Sequence, residues 1–305
     1  MTIEPATGQA QKVEGMRTSS TSGTTRGPIR REGEALDAVV LGRVGASLPY
    51  FALQDLVFDG TELRGNAPSE TDPGTETGPV SAAELARHAA VAGLSAVALG
   101  RPDGARCYYL VSELEATFLP SSLPFGATVT YAARATQQNP VGGAAQIEAR
   151  AEQELVGRVR VSFAVIPDTL FHKLFLRHRT HTYGDMGSYK IYPPLDGISC
   201  DRHAAHARLV VPRSACRGHF DQHPALPVPV LVGQLVRLTS SLADGRFRVT
   251  SLHVKSPALA WAGDELRLRI AKVSSPWSFA GHGSVGGRTV ASVRFAVTAP
   301  VRPGG

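Results

Sequence analysis

Apolar residues first gather near Ala35. The runs ALDAVVLGRV and PYFALQDLVF predict strands, and a Pro/Gly/Thr/Glu-rich loop follows from Asn66 to Gly78. The pattern then changes period. From Ser81 to Leu99 the text SAAELARHAAVAGLSAVAL is apolar almost all round, which predicts a helix enclosed by other structure. Four strand-like segments come next, RCYYLVSELEATF, ATVTYAARATQQ, GAAQIEARAEQ and LVGRVRVSFAVI, each bounded by Gly, Pro or Asn turn signals. The order then returns: a short strand around His206 to Val211, the loop RSACRGHFDQHPALP and a second apolar helix at about Val228 to Leu242. Three further strand runs close it, RFRVTSLHVKS, DELRLRIAKVS and GGRTVASVRFAV. The stretch GHGSVGG at 281–287 reads as a hairpin turn, because no Gly-Lys-Ser/Thr follows it as a phosphate loop requires.

The two helices begin about 147 positions apart, each after a short strand and before long ones, so the chain is an internal duplication in outline. Four strands after one buried helix exclude a βαβ array. A sheet wrapped round an apolar helix buries both elements, since the sheet needs a cover and the helix needs enclosure. That is the hot-dog architecture. The expected fold is therefore α+β, a double hot-dog with two antiparallel sheets, each wrapped around a long apolar helix. Its expected divisions are a flexible leader (1–34), a first hot-dog domain (35–168), a linker (169–204) and a second hot-dog domain (205–300).

Composition narrows this little. The chain has 305 residues, 43% of them hydrophobic and 19% charged, enough for a real core and inconsistent with wholesale disorder. No uncharged apolar run approaches the roughly 18 residues of a membrane span, and no apolar segment follows a basic start, so a cytoplasmic protein is expected. Cys107, Cys200 and Cys216 form no CxxC pair, which favours free thiols. The net charge of +6 is concentrated between 170 and 217, where eight Lys/Arg stand against three Asp. Without interleaved aromatics or a helix-turn-helix this suits an acidic partner or a phosphate better than nucleic acid.

The second loop carries a more specific signal. In RGHFDQHPALPVPVLVGQL, residues 217–235, the positions Gly218, His219, Phe220, Pro224 and Pro227 match the pattern of the β-hydroxyacyl-ACP dehydratase branch of the hot-dog superfamily, which this segment resembles. The resemblance implies that His219 is the catalytic base. It also implies that Gly218, Phe220, Pro227 and Val228 lie against the substrate, with a backbone N–H there holding the thioester carbonyl. Two departures stand out: Pro229 follows Val228, and Gly233 occupies the helix position where the family has a carboxylate. Aligning PVSAAELARHAA from Pro79 with the family's helix start places Glu84 at the carboxylate position of the first half, which has no histidine before His88. One composite site, His219 from one half and Glu84 from the other, is the resulting expectation.

Dehydration of a 3-hydroxyacyl thioester needs a base for the α-proton and an acid for the departing hydroxyl, roles open to a histidine and a buried carboxyl. The resemblance implies an acyl carrier protein or CoA as carrier, in fatty-acid or polyketide assembly. No cofactor and no metal are expected, for the histidines fit no zinc spacing. Each residue also has a structural reading. Ser81-x-x-Glu84 is a capping box, His88 lies four residues after Glu84 on one helix face, and Gln234 is either a substrate ligand or an interior amide. A hot-dog thioesterase using Glu84 and a non-catalytic acyl-binding protein are the competing functions, and a monomer or a homodimer fits the duplication.

Overall fold

The computed structural model describes residues 36–180, 192–220, 222–243, 245–273 and 277–299; the expected leader, 1–34, lies outside them. The first half runs α1 (Leu36–Arg43), β1 (Gln54–Phe58), β2 (Glu62–Ala67), α2 (Ala82–Gly100), β3 (Cys107–Phe118), β4 (Val129–Asn139), β5 (Gly142–Ala151) and β6 (Glu154–Pro167). After α3 (Asp168–Leu174) come β7 (Asp196–Cys200), β8 (Ala204–Val210), α4 (Val228–Thr239), β9 (Val249–Lys255), β10 (Glu265–Lys272), β11 (Ser278–Val285) and β12 (Arg288–Val297).

These strands form one antiparallel sheet in the order β1-β2-β4-β5-β6-β3-β9-β12-β11-β10-β8-β7. Read inward from either edge, each half has the order first, second, fourth, fifth, sixth, third, so the duplication holds strand for strand. The fold is the expected double hot-dog. Its two sheets, however, are joined edge to edge: β3 pairs with β9 from Glu113↔Lys255 to Thr117↔Ser251. Pairing the two innermost strands removes both inner edges, each otherwise a row of unmet donors and acceptors.

Helix α2 is the centre of the first half. Every residue from Ala82 to Ala98 is buried, which only a sequence this rich in alanine allows, because bulkier side chains would hold the enclosing strands away. It is long and apolar enough to cross a membrane, but 94% of that window is buried inside the protein. Ser81 caps its start, accepting from the Glu84 amide at 3.4 Å. Arg43 meets its end, donating to the carbonyls of Ala98 and Leu99 at 3.2 and 3.4 Å.

Several sequence expectations change. Leu36–Arg43 is helical, not extended: Asp37 in its first turn and Arg43 in its last complement the helix dipole, and its valines gave a misleading strand signal. β2 was hidden by its polar text, ELRGNA. The second half has four strands after its helix, because β11 runs through the stretch expected to turn. The turn itself is only Gly286-Gly287, with φ of 55° and 81°. The stretch 169–204 contains α3 and β7, and β7 pairs with β8 as the outermost strand of the second half.

A strap also joins the halves away from the sheet. Ser47 N–H donates to Gly218 O at 2.8 Å and Phe220 N–H to Gly45 O at 2.9 Å, so the loop before α4 is laced to the chain after α1. Gly218 has φ of 68°, and a Cβ there would stand 2.2 Å from Ser47 O.

Two outcomes follow from this arrangement. Leu252→Ala, on the seam strand β9 and 2% exposed, is expected to cost about 2–5 kcal/mol in urea unfolding while leaving one transition; two separated transitions would show that the halves fold independently. Gly218→Ala is expected to cost more than about 1 kcal/mol from backbone strain alone, with the clash added, and an unchanged midpoint would show the strap to be dispensable.

Candidate active site

His219 sits on the strapped loop, between two residues of left-handed backbone: Gly218, and Phe220 with φ of 63°. A phenylalanine in that region costs about 1–3 kcal/mol, strain that persists only where surrounding contacts impose it, here the Gly45 hydrogen bond and burial of the ring. The consequence is a fixed imidazole. Its Nδ1–H donates to the Ala225 carbonyl at 2.9 Å, which leaves the Nε2 lone pair without a partner among the described residues. The ring packs on Phe220 at 3.8 Å and Tyr50 at 4.8 Å between centroids. Burial holds its pKa down at about 4, so the imidazole is neutral at neutral pH and its Nε2 lone pair is unprotonated.

A cavity of about 460 Å³ opens beside it. Ala90 and Leu94 of α2, Val111 of β3, and Val228 with Pro229 of α4 wall it, so both halves contribute. Its lining reaches the surface at Leu174, Arg177 and Arg288, all exposed. No Asp or Glu lines it among the described residues. At the start of α4 the Val230 and Leu231 amides both donate to Pro227 O, at 3.0 and 3.3 Å, and Pro229 has no N–H. The Val228 amide, without a hydrogen-bond partner among the described residues, is left at the positive end of the helix dipole on the cavity wall. Pro229, which has no N–H of its own, therefore leaves the Val228 amide in place.

The remaining expected residues fall differently. Phe220 and Val228 line the cavity; Gly218 and Pro227 shape the loop but do not line it. Glu84 does not line it either, and the expected His219–Glu84 pair is not formed there. Its carboxylate accepts from the amides of Glu70 at 2.7 Å and Thr71 at 3.1 Å, with Arg87 at 3.7 Å, so the capping box is only half made and the acid serves the 70–71 loop. The error lay in register. The α2 residues at the cavity are Ala90 and Leu94, about two and three turns beyond Glu84.

His88 is buried away from the cavity, its Nε2 accepting from Arg87 at 2.6 Å and its Nδ1 3.3 Å from Tyr131 OH. Burial and the adjacent guanidinium keep it neutral. Gln234 donates to Pro193 O and is an interior amide. Glu70, Glu84 and His88 bring ligand atoms close enough for a metal ion, but Arg87 lies within 3.7 Å of all three and supplies the positive charge itself. The Cys216 thiol, pushed up to about 12 by burial, is no nucleophile.

Tyr50 was missed. Its phenol lines the cavity beside His219 and is pushed up to about 12 by burial, so it stays protonated. It lies in a run that reads as a strand, and nothing in the spacing of the sequence ties it to a loop in the other half.

No family model matches this sequence, and no curated protein matches it. Solved structures do resemble its fold. An acyl-ACP thioesterase from Bacteroides thetaiotaomicron superposes with a TM-score of 0.53 at 13% identity, over 77% of this chain and 98% of that one. A 12:0-ACP thioesterase from Umbellularia californica gives 0.53 at 14% identity, over 79% and 99%. An acyl-CoA thioesterase II from Mycobacterium marinum gives 0.51 at 13% identity, over 83% and 98%. At these identities the likeness is one of fold: the chain shares the double hot-dog architecture along most of its described length.

Proposed function

We propose that this protein hydrolyses acyl thioesters, with His219 as general base. The observation that carries the reading is a neutral His219 whose Nε2 has no partner, on a cavity lined by no Asp or Glu, both among the described residues. Water attacks the thioester carbonyl and gives its proton to Nε2. The carbonyl oxygen, now negative, is held by the Val228 N–H. The C–S bond then breaks, and the imidazolium returns its proton to the thiolate, leaving a carboxylic acid and a thiol. A thiolate leaves with little help, its conjugate acid having a pKa of about 8.5, whereas hydroxide, the conjugate base of water at about 15.7, needs an acid to depart. A cavity lined by histidines and, among the described residues, by no Asp or Glu thus favours hydrolysis over elimination. Glu84, the base of the thioesterase reading drawn from sequence, gives way to His219.

The thioesterase structures that share the fold support this reading. Arg177 and Arg288 at the exposed rim suit a phosphorylated carrier arm, as on acyl carrier protein or CoA. Dehydration of a 3-hydroxyacyl thioester is the second reading. The Gly218-His219-Phe220 loop at the cavity favours it, with the protonated Tyr50 as the acid beside His219.

Mass spectrometry with a saturated and a 3-hydroxyacyl pantetheine thioester separates the two. Release of free thiol from both, lowered about 10²–10⁴-fold in His219→Gln, is the expected result. Loss of water from the 3-hydroxy substrate, abolished in Tyr50→Phe, would establish the lyase instead, and binding without turnover would leave an acyl-binding protein. The base limb gives a further check. Because His219 is depressed in the folded state, the active neutral form is retained as pH falls from about 8 to about 6 and is lost only as pH passes through about 4. A kcat/KM that halves near the ordinary histidine value of about 6.5 would exclude His219 as the base.

A further inference from the structure

A duplicated hot-dog builds two clefts, one where each helix begins against the flank of the other. The first is the His219 cavity, with the start of α4 (Val228) and the flank of α2 (Ala90, Leu94) in its wall. The second lies where α2 begins, beside Gly233 and Arg237 of α4. It is filled from within. The Tyr192 phenol lies beside Ser81, the N-cap of α2, and its ring lies 5.5 Å from the Arg237 guanidinium. A Cβ on Gly233 would stand 2.3 Å from that ring and its hydroxyl. The glycine that replaces the family's carboxylate is thus the space in which Tyr192 lies.

The amides differ in the same sense. The first N–H of α4 is unpartnered among the described residues, whereas the first of α2, on Ala82, donates to the buried Glu76 carboxylate at 2.7 Å. The second cleft therefore has its volume taken by an aromatic side chain and its oxyanion donor taken by an acid. Both occupants, Tyr192 and Glu76, come from this chain.

We infer that the cleft at the start of α2 is a second acyl-group site held shut by Tyr192, so that each chain takes up one acyl thioester. The ligand class rests on the proposed function; the plug rests on the geometry alone. The test is native mass spectrometry with a non-hydrolysable pantetheine acyl thioether, together with thermal unfolding in p-cresol, which is the tyrosine side chain as a free molecule. Wild type and Tyr192→Phe are expected to bind one thioether per chain, and Tyr192→Gly to bind a second. p-Cresol is expected to raise the Tm of Tyr192→Gly by a few degrees and leave wild type unmoved. If Tyr192→Gly is unfolded alone, recovery of its transition in p-cresol is the same positive result.

Two thioethers on wild type would overturn the inference. So would a Tyr192→Gly that folds, binds one thioether and ignores p-cresol. No thioether on any variant, with p-cresol still stabilising Tyr192→Gly, would overturn the acyl assignment and the proposed function together while locating the plug.

Discussion

A helix with no exposed face has to be enclosed, and the seventeen-residue buried stretch of α2 from Ala82 to Ala98 is the constraint on which the rest of this structure depends. One six-stranded half-sheet covers part of it, and α4 and the chain after α1 cover more. The enclosure is possible because the helix is rich in alanine, so strands approach closely without leaving voids. Joining β3 to β9 brings the two half-sheets to one continuous concave face, and α2 and α4 then pack on it side by side. The cleft between a helix start and its neighbour's flank is a by-product of that packing, and it is where the His219 cavity lies.

The same enclosure sets the protonation states. With little water to solvate a charge, the ionisable groups near the helices are pushed toward neutrality: His219 down to about 4, Tyr50 up to about 12, Glu76 up to about 8. The Arg87 guanidinium among them is paired with the carboxylates of Glu70 and Glu84. A buried base and a buried phenol side by side, with a bare amide at a helix start, form a site organised by desolvation. Its two contributors, the strapped loop of one half and the flank of α2 in the other, are held in register by four residues of backbone, Gly45, Ser47, Gly218 and Phe220.

Asymmetry between the halves is local, not architectural. Strand order is identical on either side of the seam, yet one helix start is capped by Ser81 and Glu76 and the other begins at a proline with a free amide beyond it. Beside the start of α2, Tyr192 from the connecting segment packs against Gly233 of α4.

Much of this was legible in the chain. The period of the two apolar helices, the long alternating strands and their repeated order gave the double hot-dog, and Gly218-His219-Phe220 with its two prolines gave the cavity histidine. These are local patterns, and burial writes them directly into the order of residues. What the chain could not disclose is which residues meet across the fold. Glu84 was placed opposite His219 by a short alignment. The tertiary structure instead sets Ala90 and Leu94 there, because a helical register error of six residues is invisible in a segment that is apolar on every face. Tyr50 and Tyr192 lie far in sequence from what they touch, and Gly233 reads as a missing acid until Tyr192 is seen against it. The sequence by itself determined the two core helices, most of the strands, their duplication and the loop that carries His219. Only the tertiary structure decided the partners, since contact between distant segments depends on how two half-sheets and two helices pack.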